Sequence, residues 1–397
     1  MTEGNMSKLE ELIEQYCPDG VEYLEIREIA QVGTGSSNGN EAEEGGVFPF
    51  FVRSQTVKRK NDYEYDEEAI IIPGEGGIGD IFHYIKGKYA LHQRVYRIHF
   101  TSPSINVKFA FYYMKSAFKQ FILMKAVSAT VTSIRKPMIE SFPLPVPPLP
   151  VQEEIVGILD TFTELQAELQ AELQKRLQQY NYYRDNLLTN FTPEQAPKEY
   201  TLGDVTVDIY SGATPSKEKR EYWINGTIPW MSSGEVNLGQ VYEVEGRITQ
   251  LGYDKCSTKM VPEGSVVIAL AGQGKTRGTV AILRTSVCTN QSLAALVPQK
   301  EIVSGEYLYY YLKTQYAKLR EVSAGDGTRG GLNLKMLRAY KVVIPSHKAQ
   351  DQIVSILDRF DSLTNDLTSG LPAEIEKRRQ QYEYYRDKLL TFKRKEA

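Results

Sequence analysis

Gly272-Gln-Gly-Lys-Thr276 is the stretch of this 397-residue chain that comes nearest to a nucleotide-binding loop. A loop of that kind wraps phosphates in backbone N–H groups and needs glycine five residues before Gly274, where this chain has Ala269. The stretch therefore reads as a loop turn offering Gln273, Lys275 and Arg277 to a partner. Gly74-Glu-Gly-Gly-Ile-Gly79 imitates a dinucleotide fingerprint, but a short aromatic strand follows it instead of a long helix. The four histidines (His83, His92, His99 and His347) show no metal-ligand spacing. No Ser/His/Asp arrangement and no amino-methyltransferase motif stands out. The sequence reads as non-catalytic, with no cofactor of its own.

Polar and basic loop clusters offer binding chemistry instead. Arg53, Ser54, Gln55, Lys58, Arg59 and Lys60 form one cluster, and Thr130, Thr132, Ser133, Arg135 and Lys136 a second. Ser232, Ser233 and Glu235, then Thr328, Arg329 and Asn333, stand at corresponding places further along. Arg, Gln, Ser and Asn on loops can read base edges, while Lys and Arg hold phosphates. Taken one at a time, each residue reads more readily as part of a solvated loop. Their paired occurrence favours a functional set.

The elements that position these loops come in two copies. Gln152-Glu-Glu-Ile-Val-Gly-Ile-Leu-Asp-Thr-Phe162 returns as Gln350-Asp-Gln-Ile-Val-Ser-Ile-Leu-Asp-Arg-Phe360, 198 residues on. Gln178-Gln-Tyr-Asn-Tyr-Tyr-Arg-Asp-Asn-Leu-Leu-Thr189 returns as Gln380-Gln-Tyr-Glu-Tyr-Tyr-Arg-Asp-Lys-Leu-Leu-Thr391, 202 residues on. A repeat this long means two whole domains and two connectors, not a solenoid of short units.

Residues 1–150 are expected to hold a helix around Met6–Tyr16 and then short strands, among them Glu68–Pro73 and one run over Tyr89–Phe100. A helix follows at Val107–Lys125, and the proline-rich stretch Phe142–Pro150 reads as an extended exit strap. Residues 192–346 repeat the plan: Glu22-Tyr23 matches Glu199-Tyr200, Phe48-Pro49-Phe50 matches Ile228-Pro229-Trp230, and His92-Gln93 matches Asn290-Gln291. A helix over Glu306–Arg320 is the counterpart of Val107–Lys125.

The connectors, residues 151–191 and 347–397, read as helical. Leu165, Leu169, Leu173 and Leu177 make a one-face stripe, and Glu172 and Arg176 sit four apart in the favourable order for an ion pair. Within the stripe Glu164-Leu-Gln-Ala repeats as Glu168-Leu-Gln-Ala. The second connector should break at Ser369-Gly370-Leu371-Pro372, since glycine ends helices and proline starts them. The blocks Tyr182, Tyr183, Arg184, Asp185 and Tyr384, Tyr385, Arg386, Asp387 admit two readings: helices packing on their twins, or a partner bound twice.

The bulk numbers narrow the class. Apolar residues make up 41% and charged residues 24%, ordinary for a globular protein. A net charge of −3 argues against a generic, charge-driven nucleic-acid binder, though not against local basic loops. Cys17, Cys256 and Cys288 are odd in number and scattered, which suits a reducing cytoplasm. No signal peptide or membrane-spanning stretch is legible, so a cytoplasmic, membrane-free protein is expected.

With these residues in view, the chain resembles the specificity (S) subunit of type I restriction-modification systems along essentially its whole length. The marks are the two repeated blocks and Ile228-Pro-Trp-Met-Ser-Ser-Gly-Glu235, a stretch similar to one class of target-recognition domain. The resemblance implies an α+β fold of two pseudo-symmetric target-recognition domains joined by an antiparallel pair of long helical connectors. It implies double-stranded DNA as target, each domain reading half of a split sequence. It also implies two modification (methyltransferase) subunits and restriction subunits as partners, which carry S-adenosylmethionine, ATP and Mg. The first domain departs from that pattern, with acidic runs at Glu41–Glu44 and Asp62–Glu68 and no close match to Ile228–Glu235. A scaffold that controls other proteins without reading DNA, and a nucleotide-using enzyme, are the remaining alternatives.

Overall fold

A computed structural model of the chain describes residues 8–125, 133–272, 276–324, 331–365 and 369–396. Its contacts divide it into two compact units, Met1–Gln170 with Glu374–Ala397, and Ala171–Ala373. The division does not follow chain order. Each unit takes one recognition domain, the Gln-x-x-Ile-Val block that follows it, and the Tyr-Tyr-Arg-Asp block of the other connector.

The first unit is built on a six-stranded sheet, in the order Ala30–Thr34, Val95–Phe100, Tyr65–Pro73, His83–Leu91, Phe48–Phe51 and Lys58–Lys60. Tyr65–Pro73 is central because its second half, Ala69-Ile-Ile-Ile-Pro73, is apolar at successive positions and is buried on both faces. Ile70 and Ile72 pack with Met114, Phe118 and Ile122 of the helix Val107–Lys125. Ala69 and Ile71 pack with Phe51, Tyr89 and Leu91 on the other face. The run expected over Tyr89–Phe100 is in fact two strands, His83–Leu91 and Val95–Phe100. They pair with opposite edges of Tyr65–Pro73, and the turn His92–Arg94 carries the chain between them.

The proline strap is shorter than expected. Pro143–Pro145 pairs with Tyr23–Glu25 in a two-stranded ribbon, where few N–H donors are needed. Leu149-Pro150 already opens the next helix, because proline at the first turn forfeits no helical hydrogen bond.

In the second unit Lys198–Thr201 pairs with Lys341–Ile344, matching that ribbon. Phe48–Phe51 and Ile228–Met231 also match: each lies parallel to its neighbour, Phe50 opposite Ala90 and Trp230 opposite Cys288. The main difference is a break. Where the first unit has the continuous strand His83–Leu91, the second has Val280–Leu283 and Val287–Thr289, which fall in separate five- and four-stranded sheets. The helix expected over Glu306–Arg320 is likewise two, Gly305–Thr314 and Tyr316–Ala324. The buried Gln315 sits at the break and accepts a hydrogen bond from the Tyr340 hydroxyl at 3.2 Å.

The first connector is one helix of 41 residues, Leu149–Thr189, continuous through the boundary at Gln170 and Ala171. Glu172 and Arg176 pair at 2.7 Å, as their spacing predicts. Leu169, Leu173 and Leu177 are half-buried, while Leu165 is 41% exposed. The second connector forms His347–Asn365 and Leu371–Leu389, its break at the expected Ser369–Pro372. Among the described residues no helix is long and apolar enough to cross a membrane.

Two buried glutamines explain the first repeat block. Gln152 accepts from the Asn106 N–H at 2.8 Å and donates to the carbonyls of Ser104 (2.8 Å) and Pro147 (2.6 Å). Gln350 makes the same three bonds, to Ser304 N–H, Ile302 O and Pro345 O, each at 2.9 Å. Each side chain is wholly buried and ties the connector helix to the loop before its domain helix.

Candidate nucleic-acid and partner interfaces

In the first unit the turn between the two split strands gathers several loops. His92 donates its backbone N–H to Phe51 O at 3.0 Å, and its Nδ1 accepts the Arg94 N–H at 2.9 Å. Burial, together with Arg53 and Arg94, pushes the imidazole pKa down, which suits an accepting nitrogen. Gln93 takes its place through two bonds, its N–H to Ser37 O at 3.0 Å and Nε2 to Asn38 Oδ1 at 2.7 Å. Arg94 and Arg53 both reach Glu75, at 3.1 and 3.0 Å. Hydrogen bonds from Arg94 and then Arg53 hold that carboxyl below the usual carboxylate range.

The loop Ser133–Arg135 joins this cluster because Ile134 N–H donates to Gly74 O at 2.8 Å. Ser133 and Arg135 then border a shallow cavity of about 180 Å³ with Glu75, Gln93, Arg94 and Tyr96. Of the expected set, the structure thus brings Arg53, Ser133 and Arg135 together. Lys136 starts the next short helix and pairs with Glu140 at 3.6 Å. Gln55 is exposed beside Ser54, whose hydroxyl bonds Thr56 O at 2.9 Å.

The remaining basic residues of that run are bound to their own domain. Arg59 donates to the carbonyls of Gly46 and Val47, and Lys58 to Gly39 O. Lys60 is partly buried, bonded to Ser37 Oγ at 2.9 Å and Glu41 at 2.7 Å. That lysine and the Asn38 N–H lower the Glu41 carboxyl to about 2.

The second unit reproduces the frame with different side chains. Asn290 N–H donates to Met231 O at 3.2 Å, and Asn290 Oδ1 accepts the Ser292 N–H at 3.0 Å. Gln291 is held by the Thr214 hydroxyl at 2.5 Å. The approach of the preceding loop is equally close in both units: a Cβ on Gly35 would lie 1.8 Å from Leu91 O, and one on Gly212 1.8 Å from Thr289 O.

Ser232 and Glu235, expected as base readers, form a capping box: Glu235 accepts from the Ser232 N–H at 2.6 Å and its hydroxyl at 2.8 Å. Ser233 is half-buried in the turn that follows. Asn333 caps the helix Leu334–Arg338 through the Met336 N–H at 2.9 Å. Arg277 is half-buried, and its carbonyl accepts from Arg320 at 3.4 Å. Thr130, Thr132, Gln273, Lys275, Thr328 and Arg329 lie outside the described residues.

Sequence reasoning missed Glu75 and Arg94 as members of the cluster, and saw Gln93 only as the opening of a strand. The shared glutamine in His92-Gln93 and Asn290-Gln291 was the available signal.

The Tyr-Tyr-Arg-Asp blocks divide their labour. Tyr183 stacks on Phe360 in the second unit and Tyr385 on Phe162 in the first. Arg184 bonds Asp185 at 2.7 Å and lies over Tyr180; Arg386 bonds Asp387 at 2.7 Å and lies over Tyr382. Tyr182 and Tyr384 face outward, 65% and 64% exposed. In the second unit a cavity of about 440 Å³ opens beside Arg184, bordered by Gln240, Tyr309, Lys313, Tyr316 and Asp361. Desolvation pushes the Lys313 amine pKa down against the pull of Asp361.

The description "Type I restriction modification DNA specificity domain" matches residues 18–179 and again 196–377. The type I restriction enzyme EcoR124I/EcoR124II specificity subunit of Escherichia coli is 37% identical over 265 residues, 65% of each chain. A putative type I restriction enzyme specificity subunit of Haemophilus influenzae is 29% identical over 98% of this chain and 99% of its own length. In fold, the chain is similar to the crystal structure of the type I restriction-modification S subunit from M. genitalium, with a TM-score of 0.59 at 18% identity over 93% of this chain and 95% of that one. A structure from work on complex assembly and conformational transition of the type I R-M system gives 0.60 at 16% identity, covering 94% and 98%. With its domain present twice on one repeated frame, this chain belongs to the family of type I restriction-modification DNA specificity subunits.

Proposed function

We propose that the chain reads a split double-stranded DNA target, one half-site per recognition domain, and directs two modification subunits to it. The observation that carries this reading is the repeated turn: His92 and Asn290 make the same hydrogen bonds, while the side chains around them differ. Two copies of one frame with different side chains suit two different half-sites.

The chain itself supplies position. Loop residues Arg53, Ser133 and Arg135 in the first domain contact the duplex, and Ser233 marks the corresponding loop in the second. Tyr182 and Tyr384, each exposed beside a fixed Arg–Asp pair, contact modification subunits at two equivalent places. Those partners bring S-adenosylmethionine and the methyl-transfer chemistry, and restriction subunits bring ATP- and Mg-dependent cleavage. The complex acts on DNA in the cytoplasm.

The repeats Glu164-Leu-Gln-Ala and Glu168-Leu-Gln-Ala lie inside one unbroken helix, which suits a ruler for the gap between half-sites. Each four-residue step adds about 6 Å at ~1.5 Å per residue.

Methylome sequencing tests the reading. Cells carrying this chain with its modification subunit are expected to show a split methylated motif that is absent with the modification subunit alone. If the two proteins associate and active methyltransferase yields no such motif, the DNA-reading function is wrong and the scaffold alternative stands.

A further inference from the structure

One hydrogen-bonded turn recurs in both units and presents a different residue in each. His92 and Asn290 hold the frame, glutamine follows each, and the next residue is Arg94 in the first unit and Ser292 in the second. We infer, resting on the DNA-reading function above, that this turn is the base-reading element of each domain and that Arg94, held by Glu75, reads a guanine in the first domain's half-site.

The geometry around Arg94 suits that role. The turn is rigid: Gln93 is anchored at both its N–H and its side chain, and the Val95 N–H returns to His92 O at 2.9 Å. Arg94 itself is 57% exposed. It meets Glu75 through Nη1 alone, at 3.1 and 3.2 Å, which leaves the Nε–Nη2 edge for a ligand. Two parallel donors on a planar edge match the O6 and N7 acceptors of guanine in the major groove.

Charge points the same way. Arg53 shares the Glu75 carboxylate, so two guanidiniums surround one anion and the cluster keeps net positive charge toward an electron-rich partner. Ser292 occupies the matching place in the second unit without a guanidinium, so guanine selection by this route belongs to the first half-site only. Glu75 is a positioning residue here, acting through the arginines.

The test is methylome sequencing of cells carrying the modification subunit with the unaltered chain, Arg94→Ser or Arg94→Lys. Both substitutions are expected to relax one guanine position of one half-site by on the order of 10-fold or more. The other half-site and the gap should stay as they were, which also shows that the variants fold and assemble. Lysine keeps the charge and three N–H donors but not the planar pair of parallel ones, so it separates paired base reading from charge. An unchanged motif with either variant overturns the inference. So does a uniform fall in methylation with every base preference retained, which marks a phosphate contact. Absence of any split motif from the unaltered chain overturns the DNA-reading function itself.

Discussion

Tyr183 stacks on Phe360 with ring centroids 5.7 Å apart and planes 27° apart, and the pair is made from two different connectors. Tyr183 belongs to the Tyr-Tyr-Arg-Asp block of the first, Phe360 to the Gln-x-x-Ile-Val block of the second. The first unit repeats the pair as Tyr385 on Phe162, at 5.6 Å and 25°. Each unit is therefore completed by helix from both ends of the repeat, and the packing reading of these blocks accounts for their second tyrosine. The outward Tyr182 and Tyr384 remain for a partner.

Phe360→Ala should destabilise the second unit by about 2–3 kcal/mol, less than a fully buried phenylalanine because Phe360 is half-buried. Hydrogen exchange checks this. Protection is expected to fall in residues 171–189 and 347–365 while the sheet of the first unit keeps its own.

Gln350→Leu keeps much of the side-chain volume but strands one backbone donor and two acceptors. A cost of about 2–4 kcal/mol is expected from those buried groups. Gln152→Leu should cost a similar amount in the first unit, since its three bonds match. Chemical denaturation followed by exchange in each unit reads both, and a loss below about 0.5 kcal/mol would refute the stapling role.

Deleting Glu164–Ala167 removes one repeat and about 6 Å of helix at ~1.5 Å per residue. At 3.4 Å per base pair the unread gap should shorten by about one or two base pairs. Both half-site sequences should stay the same. Altered half-sites, found by methylome sequencing of the deletion variant, would defeat the ruler.

Glu41 is expected to titrate near 2 in the folded chain, against 4.5 for a free carboxyl, chiefly because Lys60 donates to it. A depressed carboxyl stabilises the fold above pH 4.5, and that contribution fades as the pH falls from there toward 2. Carboxyl NMR titration should show the low midpoint, and Lys60→Met should move it back up. An unchanged midpoint in the variant would remove Lys60 as the cause.

Local order was largely legible in the chain itself. The repeated blocks revealed two domains and two connectors because duplicated packing needs duplicated side chains, as Gln152 and Gln350 show. The leucine stripe and the Glu172–Arg176 pair marked the helix, since i to i+4 spacing is a local property. Ser369–Pro372 marked the break for the same reason. The candidate site was legible only as loops with suitable chemistry. Tyr89–Phe100 read as one strand because its composition is uniform, yet its halves pair with opposite edges of Tyr65–Pro73. Only the sheet could decide that, and it makes His92–Arg94 a turn.

Long-range partners had the same effect on function. Ser232 and Glu235 look like base readers in isolation, but they bond each other, and Lys60 is claimed by Ser37 and Glu41. Arg53 and Arg94, 41 residues apart, meet on Glu75 only after the strands have assembled. The sequence alone determined the family, the duplication and the helical connectors, all of which rest on local pattern. Which polar side chains are engaged within their own domain and which face a ligand was decided by tertiary structure, because hydrogen-bond partners distant in sequence leave no local periodicity to read.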